Sequence, residues 1–571
     1  MKYFFCLCAA ALICLGLVGS AHAHANLVRS NPPAGASLDR APAILELEFS
    51  EELDPSFSRI QLFNSRHELV GTGPAAVDAA DPLIMRLPLG DLPADSYTAA
   101  WRALSVVDGH ETEGSLPFGV GVAQVSTSAL PPVGAPDPAL APVPWVDTAL
   151  RWIQFAGLAL ALGGAAFYLT VWRPASGASG ADPAAEQAML AGVRRLALAG
   201  AALVIAANLA MLLAWSARSA QVGPLAALAG PLWAYARTRI GLALIARLAL
   251  LLAVAAIAWR SLRGSPRPWV WRSMLAGGGL ALLTISATSH AAAAPQAALA
   301  LLAMDWLHLA ATVAWIGGLA GLAVALRLPR WVPAAPAAGR LVPRFSRLAG
   351  AAVAILVASG MISSWLHVGG PDLLLATTYG RSLLLKLGLF GGLLALAAVN
   401  LLLLSPRLRR DSAGARRWLG RTVGLELALG CLVLLIAAIL TSVAPSRAAW
   451  EARQQIGIVE TATSAGVTLR LWVTPGHTGD NQIAVDVTDR RPAASATDAQ
   501  VILHLGMQGM DMAPVEIPAA TLDQRRYAAS GSLLSMSGLW TVEVVLRRPG
   551  FDDIRHQFPI VVRPAAPIDQ G

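Results

Sequence analysis

The sequence predicts a multidomain membrane protein: an N-terminal immunoglobulin-like β-sandwich, an eight-helix transmembrane bundle and a C-terminal β-sandwich. Hydrophobic residues make up 55% of the 571 residues and charged residues only 14%, which is too apolar for an ordinary soluble enzyme. The apolar residues are concentrated in the middle of the chain, in eight runs of membrane-spanning length. Both ends instead alternate apolar and polar residues with the period of two that is typical of strands.

The N-terminus carries a targeting segment. A short apolar run follows a lysine and ends in Ala-His-Ala, which has the form of a signal-peptidase site. We therefore expect a signal peptide over residues 1–23, with cleavage after Ala23 making His24 the first mature residue. The alternative is a retained membrane anchor, although the run is short for a spanning helix. Three of the four cysteines lie in the signal, so disulfide frameworks and thiolate metal clusters are excluded.

Composition also divides the mature chain. Residues 24–122 contain short alternating strands separated by Pro- and Gly-rich turns, which predicts the first sandwich. Residues 123–147 form a Pro- and Ala-rich linker. We expect the transmembrane domain over residues 148–445 and the second sandwich over residues 456–563.

The charge distribution predicts the topology of the bundle. We expect the spans at residues 148–172, 193–216, 240–259, 271–289, 299–326, 348–366, 382–404 and 422–443. Arginines are concentrated in every second loop, which indicates the cytoplasmic side. The net charge of +8 therefore needs no nucleic-acid partner to explain it. An even number of spans returns the C-terminus to the outside, so both sandwiches are expected there.

Histidines indicate an external metal, because none lies in a predicted cytoplasmic loop. A mature N-terminal His24 offers its α-amine and its imidazole to one ion. Asp108 and His110 lie two residues apart, so both can face one ion from an extended segment. A nitrogen-rich set with one oxygen suits Cu(II), which binds most tightly in the divalent series. The alternative is that Asp108 and His110 only flank a turn, and that His24 is an accident of cleavage.

The first domain resembles the periplasmic copper carrier family CopC along its whole length. The resemblance rests on HANLVRSNPPAG at 24–35, ELEFS at 46–50 and SVVDGHETEG at 105–114. It implies that His24, Asp108 and His110 bind Cu(II). Some members of that family carry a second, methionine-rich Cu(I) site, but this domain has only Met85, so that site is not expected here.

The membrane region resembles the CopD family. The matching stretches are DWLHLA at 305–310, WIGGL at 315–319, RFSRLA at 344–349 and TYGRSLLLK at 378–386. This resemblance covers the second half of the bundle better than the first. It implies copper movement across or into the membrane.

Polar side chains inside the spans suggest where copper would enter the bundle, because such groups usually face a cavity or a partner. Met304 and His308 lie four residues apart on one helix face, with Asp305 beside them. His290 and His367 end their spans on the outside. We predict an acceptor site formed by these histidines and Met304. The alternative is that His290 and His367 are interface residues and that His308 bonds to a neighbouring helix.

A third site is predicted in the last domain. His504 begins the stretch HLGMQGMDM, in which Met507, Met510 and Met512 follow closely. Thioethers are soft ligands that favour Cu(I), whereas the alternative is that these methionines pack in a core. Through this stretch and GLWTV at 538–542 the domain resembles YtkA-like sandwiches. Met536 and His477 are further candidate ligands.

Together these features predict copper binding in the periplasm and copper transport across the inner membrane, with import favoured, in copper homeostasis or resistance. The expected ions are Cu(II) and, at the methionines, Cu(I). The expected partners are the lipid bilayer and other periplasmic copper carriers. No phosphate-binding loop sequence is present, so no nucleotide is expected. We also expect a transport protein and not an enzyme. Two rivals remain: a copper-dependent oxidative enzyme, and a membrane electron carrier with histidine-ligated haem.

Overall fold

A computed structural model of the chain shows the three predicted regions. It describes residues 25, 27–33, 36–66, 68–107, 109, 111–122, 138–176, 183–260, 268–289, 298–328, 335–408, 413–464, 466–474, 476–489, 499–508, 515–523 and 525–562.

The N-terminal region is a β-sandwich of two four-stranded sheets, as the alternating sequence predicts. Its strands are β1 Leu27–Asn31, β2 Ser37–Leu38, β3 Ile44–Phe49, β4 Arg59–Phe63, β5 Ala76–Val77, β6 Ile84–Pro88, β7 Asp95–Leu104 and β8 Glu111–Val120. The strand orders are β1-β3-β6-β5 and β2-β8-β7-β4. Leu45, Leu47 and Phe49 point inward from β3 and are buried between the sheets.

Eight long helices form the bundle in the described part of the chain. They are α1 Trp145–Phe167, α2 Pro183–Ser219, α3 Arg239–Arg260, α4 Pro268–Ser286, α5 Ala298–Leu326, α6 Ala335–Val368, α7 Thr378–Val399 and α8 Ala413–Leu440. Seven of them are long and apolar enough to cross a membrane. The exception is α4, which has 19 residues and carries Arg272 and three consecutive glycines.

Successive helices run in opposite directions, so the starts of α1, α3, α5 and α7 share one end of the bundle with the ends of α2, α4, α6 and α8. We call this the domain-facing end, because both β domains connect to it. Farther from this end, α1 and α5 cross closely at Gly163 and Gly317. A Cβ atom at Gly317 would lie 1.9 Å from the carbonyl oxygen of Ala159, so only glycine permits this approach.

In the C-terminal region the strands form one continuous sheet and not two separate sheets. Helix α9, Ser446–Ile456, leads from the bundle into a single antiparallel sheet of eight strands. They are β9 Ile458–Ser464, β10 Val467–Thr474, β11 Gly479–Asp489, β12 Gln500–Met507, β13 Val515–Asp523, β14 Arg526–Leu534, β15 Gly538–Arg548 and β16 Phe551–Val562. Strand order is β16-β15-β12-β13-β14-β11-β10-β9, and the two outer strands contact each other. The sheet therefore curls around one core, like a barrel.

Candidate functional site

The three residues predicted to bind Cu(II), His24, Asp108 and His110, lie outside the described residues, as does His67. Their neighbours show how the two parts of the site are related. The hydroxyl of Thr112 donates a 2.6 Å hydrogen bond to the carbonyl oxygen of buried Ala25. This bond joins the chain just after His24 to the chain just after His110, so the residues on which the prediction rests come from adjoining segments.

The turn between β7 and β8 has a defined backbone. The Gly109 amide donates a 3.2 Å hydrogen bond to the carbonyl of Ser105. Gly109 has φ +71°, a left-handed conformation that side chains disfavour. A Cβ atom there would lie 2.9 Å from Cγ1 of Ile240, at the start of α3. The turn therefore packs directly against the bundle, and both its conformation and its contact require glycine.

A buried arginine fixes the sandwich on the bundle. Arg102 on β7 forms an ion pair with Glu111 on β8. Its guanidinium also donates to the carbonyl oxygens of Arg218 and Ser219, at 3.0 and 3.5 Å, where α2 ends. The C-terminal carbonyls of a helix carry partial negative charge and attract cations. The interface is thus anchored by charge at the end of a membrane helix.

Apolar contacts complete this interface. Phe57 and Leu104 of the sandwich form one buried cluster with Tyr235, Ile240 and other residues of the bundle. The rings of Phe57 and Tyr235 meet edge to face, with centroids 5.8 Å apart. Burial holds the pKa of the Tyr235 hydroxyl above its ordinary value of 10.0. Both the polar and the apolar contacts hold the sandwich against one face of the domain-facing end.

A further ion pair stiffens the surface on which the sandwich rests. Both guanidinium nitrogens of Arg218 donate to the carboxylate of Asp147 on α1, at 2.6 and 2.7 Å. The indole of Trp215 donates to the same carboxylate at 3.0 Å. Bidentate pairs of this kind are among the stronger and more directional contacts in proteins. The end of α2 is therefore held to α1 beneath the sandwich.

A cavity of about 100 Å³ lies inside the domain-facing half of the bundle. Its charged lining residues are Arg151 on α1, Arg247 on α3 and Asp305 on α5. The uncharged lining residues are Gln154, Phe155, Trp215, Ile240, Leu244, Ile285, Thr288, Ser289, Leu309 and Thr441. Ile240 therefore contacts Gly109 on one side and lines the cavity on the other.

The predicted ligands of the membrane region have different surroundings in the structure. Asp305 lines the cavity and accepts a 3.3 Å hydrogen bond from Ser289. Met304 is half-buried one turn from His308 on the same helix. His367 bonds through Nδ1 to the carbonyl of Ser363, 2.7 Å away in its own helix, and His290 lies outside the described residues.

His308 is held by a neighbouring helix in a way that leaves one nitrogen suited to a metal. Its Nδ1 lies 2.8 Å from the Ser359 hydroxyl on α6. That hydroxyl donates its hydrogen to the carbonyl of Ile355 at 2.6 Å, so it accepts from the imidazole. Nδ1 then carries the proton, and Nε2 has its lone pair available. Metal-binding histidines commonly donate their second nitrogen in this way.

Three family profiles match successive parts of the chain. The CopC domain matches residues 27–121, the N-terminal domain of copper resistance protein D-like proteins matches 141–298, and copper resistance protein D matches 339–440. Copper transport protein CutJ of Bacillus subtilis (strain 168) is 30% identical over 94% of this chain and 95% of its own length. The chain belongs to the CopC–CopD fusion family.

Shorter relatives correspond to single regions of this fusion. Copper resistance protein D of Pseudomonas syringae pv. tomato is 32% identical over 37% of this chain and 70% of its own length. The crystal structure of CopC from Methylosinus trichosporium OB3b is 30% identical and has a TM-score of 0.17, covering 18% of this chain and 100% of its own. The family profiles identify the sandwich as the CopC domain and the bundle as the CopD domain.

The last domain of the fusion separates two of its predicted ligands. Met507 lies at the end of β12 and packs against the domain core, with Val501, Leu503 and Leu505 on the same face. His504 is three residues away, so it faces the opposite side of the strand. We therefore do not expect these two side chains to share an ion. Met510 and Met512 lie outside the described residues.

Met507 is connected to the backbone of Met536 through Trp540. Met507 pairs with Trp540 across the sheet, and the indole of Trp540 donates to the carbonyl of Met536 at 2.9 Å. His504 is held by carboxylates: its Nδ1 lies 2.8 Å from Glu543 and its Nε2 lies 3.6 Å from Glu516. The hydrogen bond from His504 lowers the pKa of the Glu543 carboxyl. His477 lies elsewhere, where its carbonyl accepts from Asn481.

One feature of the bundle, its arginine-lined cavity, was missed by the sequence reasoning. Among the described residues, the structure contains no group of three or more His, Cys, Asp or Glu side chains that could hold a metal. The polar cavity is built instead around Arg151 and Arg247. An arginine inside an apolar span was the available signal, because charges there usually mark a functional pathway.

Proposed function

We propose that this protein binds copper through its CopC domain and transports it through its CopD bundle in a bacterial inner membrane. Family membership supports the coarse function, since the full-length relative is named as a copper transport protein. The contact between Gly109 and Ile240 carries the finer proposal. It joins the predicted ligand turn to the wall of the polar cavity.

The proposed path begins with Cu(II) at His24, Asp108 and His110. Gly109 lies between two of these ligands in the sequence and rests on Ile240, so the proposed route from the ligands to the cavity is short. Asp305 offers a carboxylate in the cavity wall. On the same helix, His308 presents Nε2 as the next nitrogen ligand, with Met304 one turn away.

The proposed orientation places both β domains in the periplasm. Arginines collect at the end of the bundle away from the domains, at Arg173, Arg194, Arg195, Arg260, Arg272, Arg327, Arg344, Arg347, Arg417 and Arg421. Cytoplasmic loops carry this excess of positive charge. We propose import as the direction, because every proposed ligand lies at the opposite end. We also propose transport rather than catalysis as the role, with Cu(I) handled at Met507 and Met536.

The Cu(II) site can be tested on the full-length protein in nanodiscs. His110→Ala should weaken Cu(II) binding by at least about tenfold, which is a loss of roughly 1.4 kcal/mol. Extension of the mature N-terminus by one residue should have a similar effect, because it removes the α-amine chelate. His67→Ala is the matched control within the same domain and should bind like the wild type. Equal affinities in all four proteins would contradict the proposed ligand set.

A further inference from the structure

The charge of the cavity does not suit an unaccompanied copper cation. Two arginines and one aspartate line it, so these lining side chains carry a formal net charge of +1. Lys386 on α7 also interacts electrostatically with Asp305, which further offsets the single negative charge. A positive lining raises the free energy of a cation and lowers that of an anion.

Arg247 is the most unusual member of this lining. Only 4% of its surface is exposed, and it lies in the middle of membrane-spanning α3. A buried charge of this kind normally requires an opposite charge. Among the described residues, however, Arg247 makes no ion pair with a carboxylate, and Arg151 is near enough to repel it.

The hydrogen bonds of Arg247 leave part of the guanidinium available. Its Nε donates to the Thr284 hydroxyl at 2.9 Å, Nη2 to the Thr284 carbonyl at 3.1 Å, and Nη1 to the Asn208 side chain at 3.4 Å. All three acceptors are uncharged. A guanidinium has five N–H donors, so within the described structure two of them are left for a ligand in the cavity.

We propose that this cavity is an anion site, in which Arg247 binds a small monovalent anion such as chloride or a carboxylate. The anion gives Arg247 the negatively charged partner that it lacks among the described residues. It enters either alone or as a ligand already bound to copper. This inference stands beside the proposed copper transport and does not depend on it, although it would explain how a cation passes a positive cavity.

Thermal unfolding of the copper-free, full-length protein in nanodiscs tests the site. Chloride or acetate is titrated at constant ionic strength against isethionate, a bulkier sulfonate that belongs to neither proposed ligand class. Binding to the native state should raise the melting temperature saturably, by about 2 °C or more. Arg247→Gln should abolish the rise. Arg260→Gln is the matched control, because it removes an exposed arginine from the other end of the same helix and should keep the rise.

Arg151→Gln serves as a second variant if Arg247→Gln does not fold, and it should reduce the rise. The proposal would be overturned if the melting temperature of the wild type showed no saturable rise. It would also be overturned if the Arg247→Gln and Arg151→Gln variants showed the same rise as the wild type. The anion titration is then repeated with one equivalent of Cu(II) to separate the two sources. If Cu(II) leaves the anion concentration at the titration midpoint unchanged, the anion binds alone. If that concentration falls at least about tenfold, the anion is carried by copper. Copper uptake by the wild type is measured separately, so failure of either proposal is distinguishable.

Discussion

The two halves of the bundle treat buried polar groups differently. In the domain-facing half, Arg247 lines a cavity and has only uncharged protein acceptors. In the opposite half, the amide of Asn400 donates to Glu426 at 2.8 Å, and Thr422 donates to the Asn400 side-chain oxygen at 2.5 Å. The side chains of Asn400, Glu426 and Thr422 therefore form hydrogen bonds with one another inside the protein. The comparison suggests that the first half is built for a ligand and the second for stability.

The largest expected effect is on copper uptake through the domain-facing half. His308→Ala should reduce cellular copper accumulation by at least about tenfold, within the range seen when metal-site residues are lost. His556→Ala is the matched control, because it removes a histidine of the last domain that belongs to no proposed site, and it should transport normally. Wild-type accumulation in the His308 variant would remove this residue from the path.

Loss of the domain anchor should produce the next largest effect. Arg102→Met removes the hydrogen bonds to the end of α2 and leaves Glu111 without its cation, so stability should fall by about 2 kcal/mol. Uptake should fall while Cu(II) affinity is retained. Arg29→Met controls for the loss of an exposed arginine in the same domain and should change neither property. Unchanged uptake in the Arg102 variant would show that docking is unimportant for transfer.

The opposite half should respond through stability alone. Asn400→Leu leaves buried Glu426 without its hydrogen-bond donor and should destabilise the protein by about 1–3 kcal/mol. Copper uptake per folded molecule should not change. Val399→Leu, an adjacent change at a lipid-exposed position, should have little effect on unfolding. A specific loss of uptake in the Asn400 variant would mean that this half also belongs to the transport path.

The smallest effect concerns the last domain, away from the bundle. The pKa of Glu543 is lowered by its hydrogen bond from His504, so the ionised carboxylate stabilises the fold. This contribution is present above the ordinary pKa of 4.5 and is lost as the pH falls through the lowered folded-state value. Glu543→Gln should therefore lower the melting temperature slightly at pH 7 and hardly at all in acid. An equal difference at both pH values would contradict this linkage.

Sequence patterns predicted the three regions and the positions of all eight helices, because hydropathy and alternation are local properties. They could not predict the cavity. Its arginines lie on helices α1 and α3, far apart in the sequence, and only packing brings them to one space. The single curled sheet of the last domain likewise depends on pairing between distant strands.

One site could have been predicted more accurately. The residues His504 and Met507 lie an odd number of positions apart in a segment that alternates, which already places them on opposite faces. Strand parity was therefore available before the structure. By contrast, the contact between Gly109 and Ile240 joins two domains and had no local signal.

The most direct test of the account is to narrow the passage at that contact. Ile240→Trp should obstruct the cavity under the ligand turn and reduce copper uptake by at least about tenfold. Leu242→Trp places the same side chain on an exposed face of the same helix and should transport normally. Normal uptake by the Ile240 variant would contradict the proposed route from the CopC domain into the bundle.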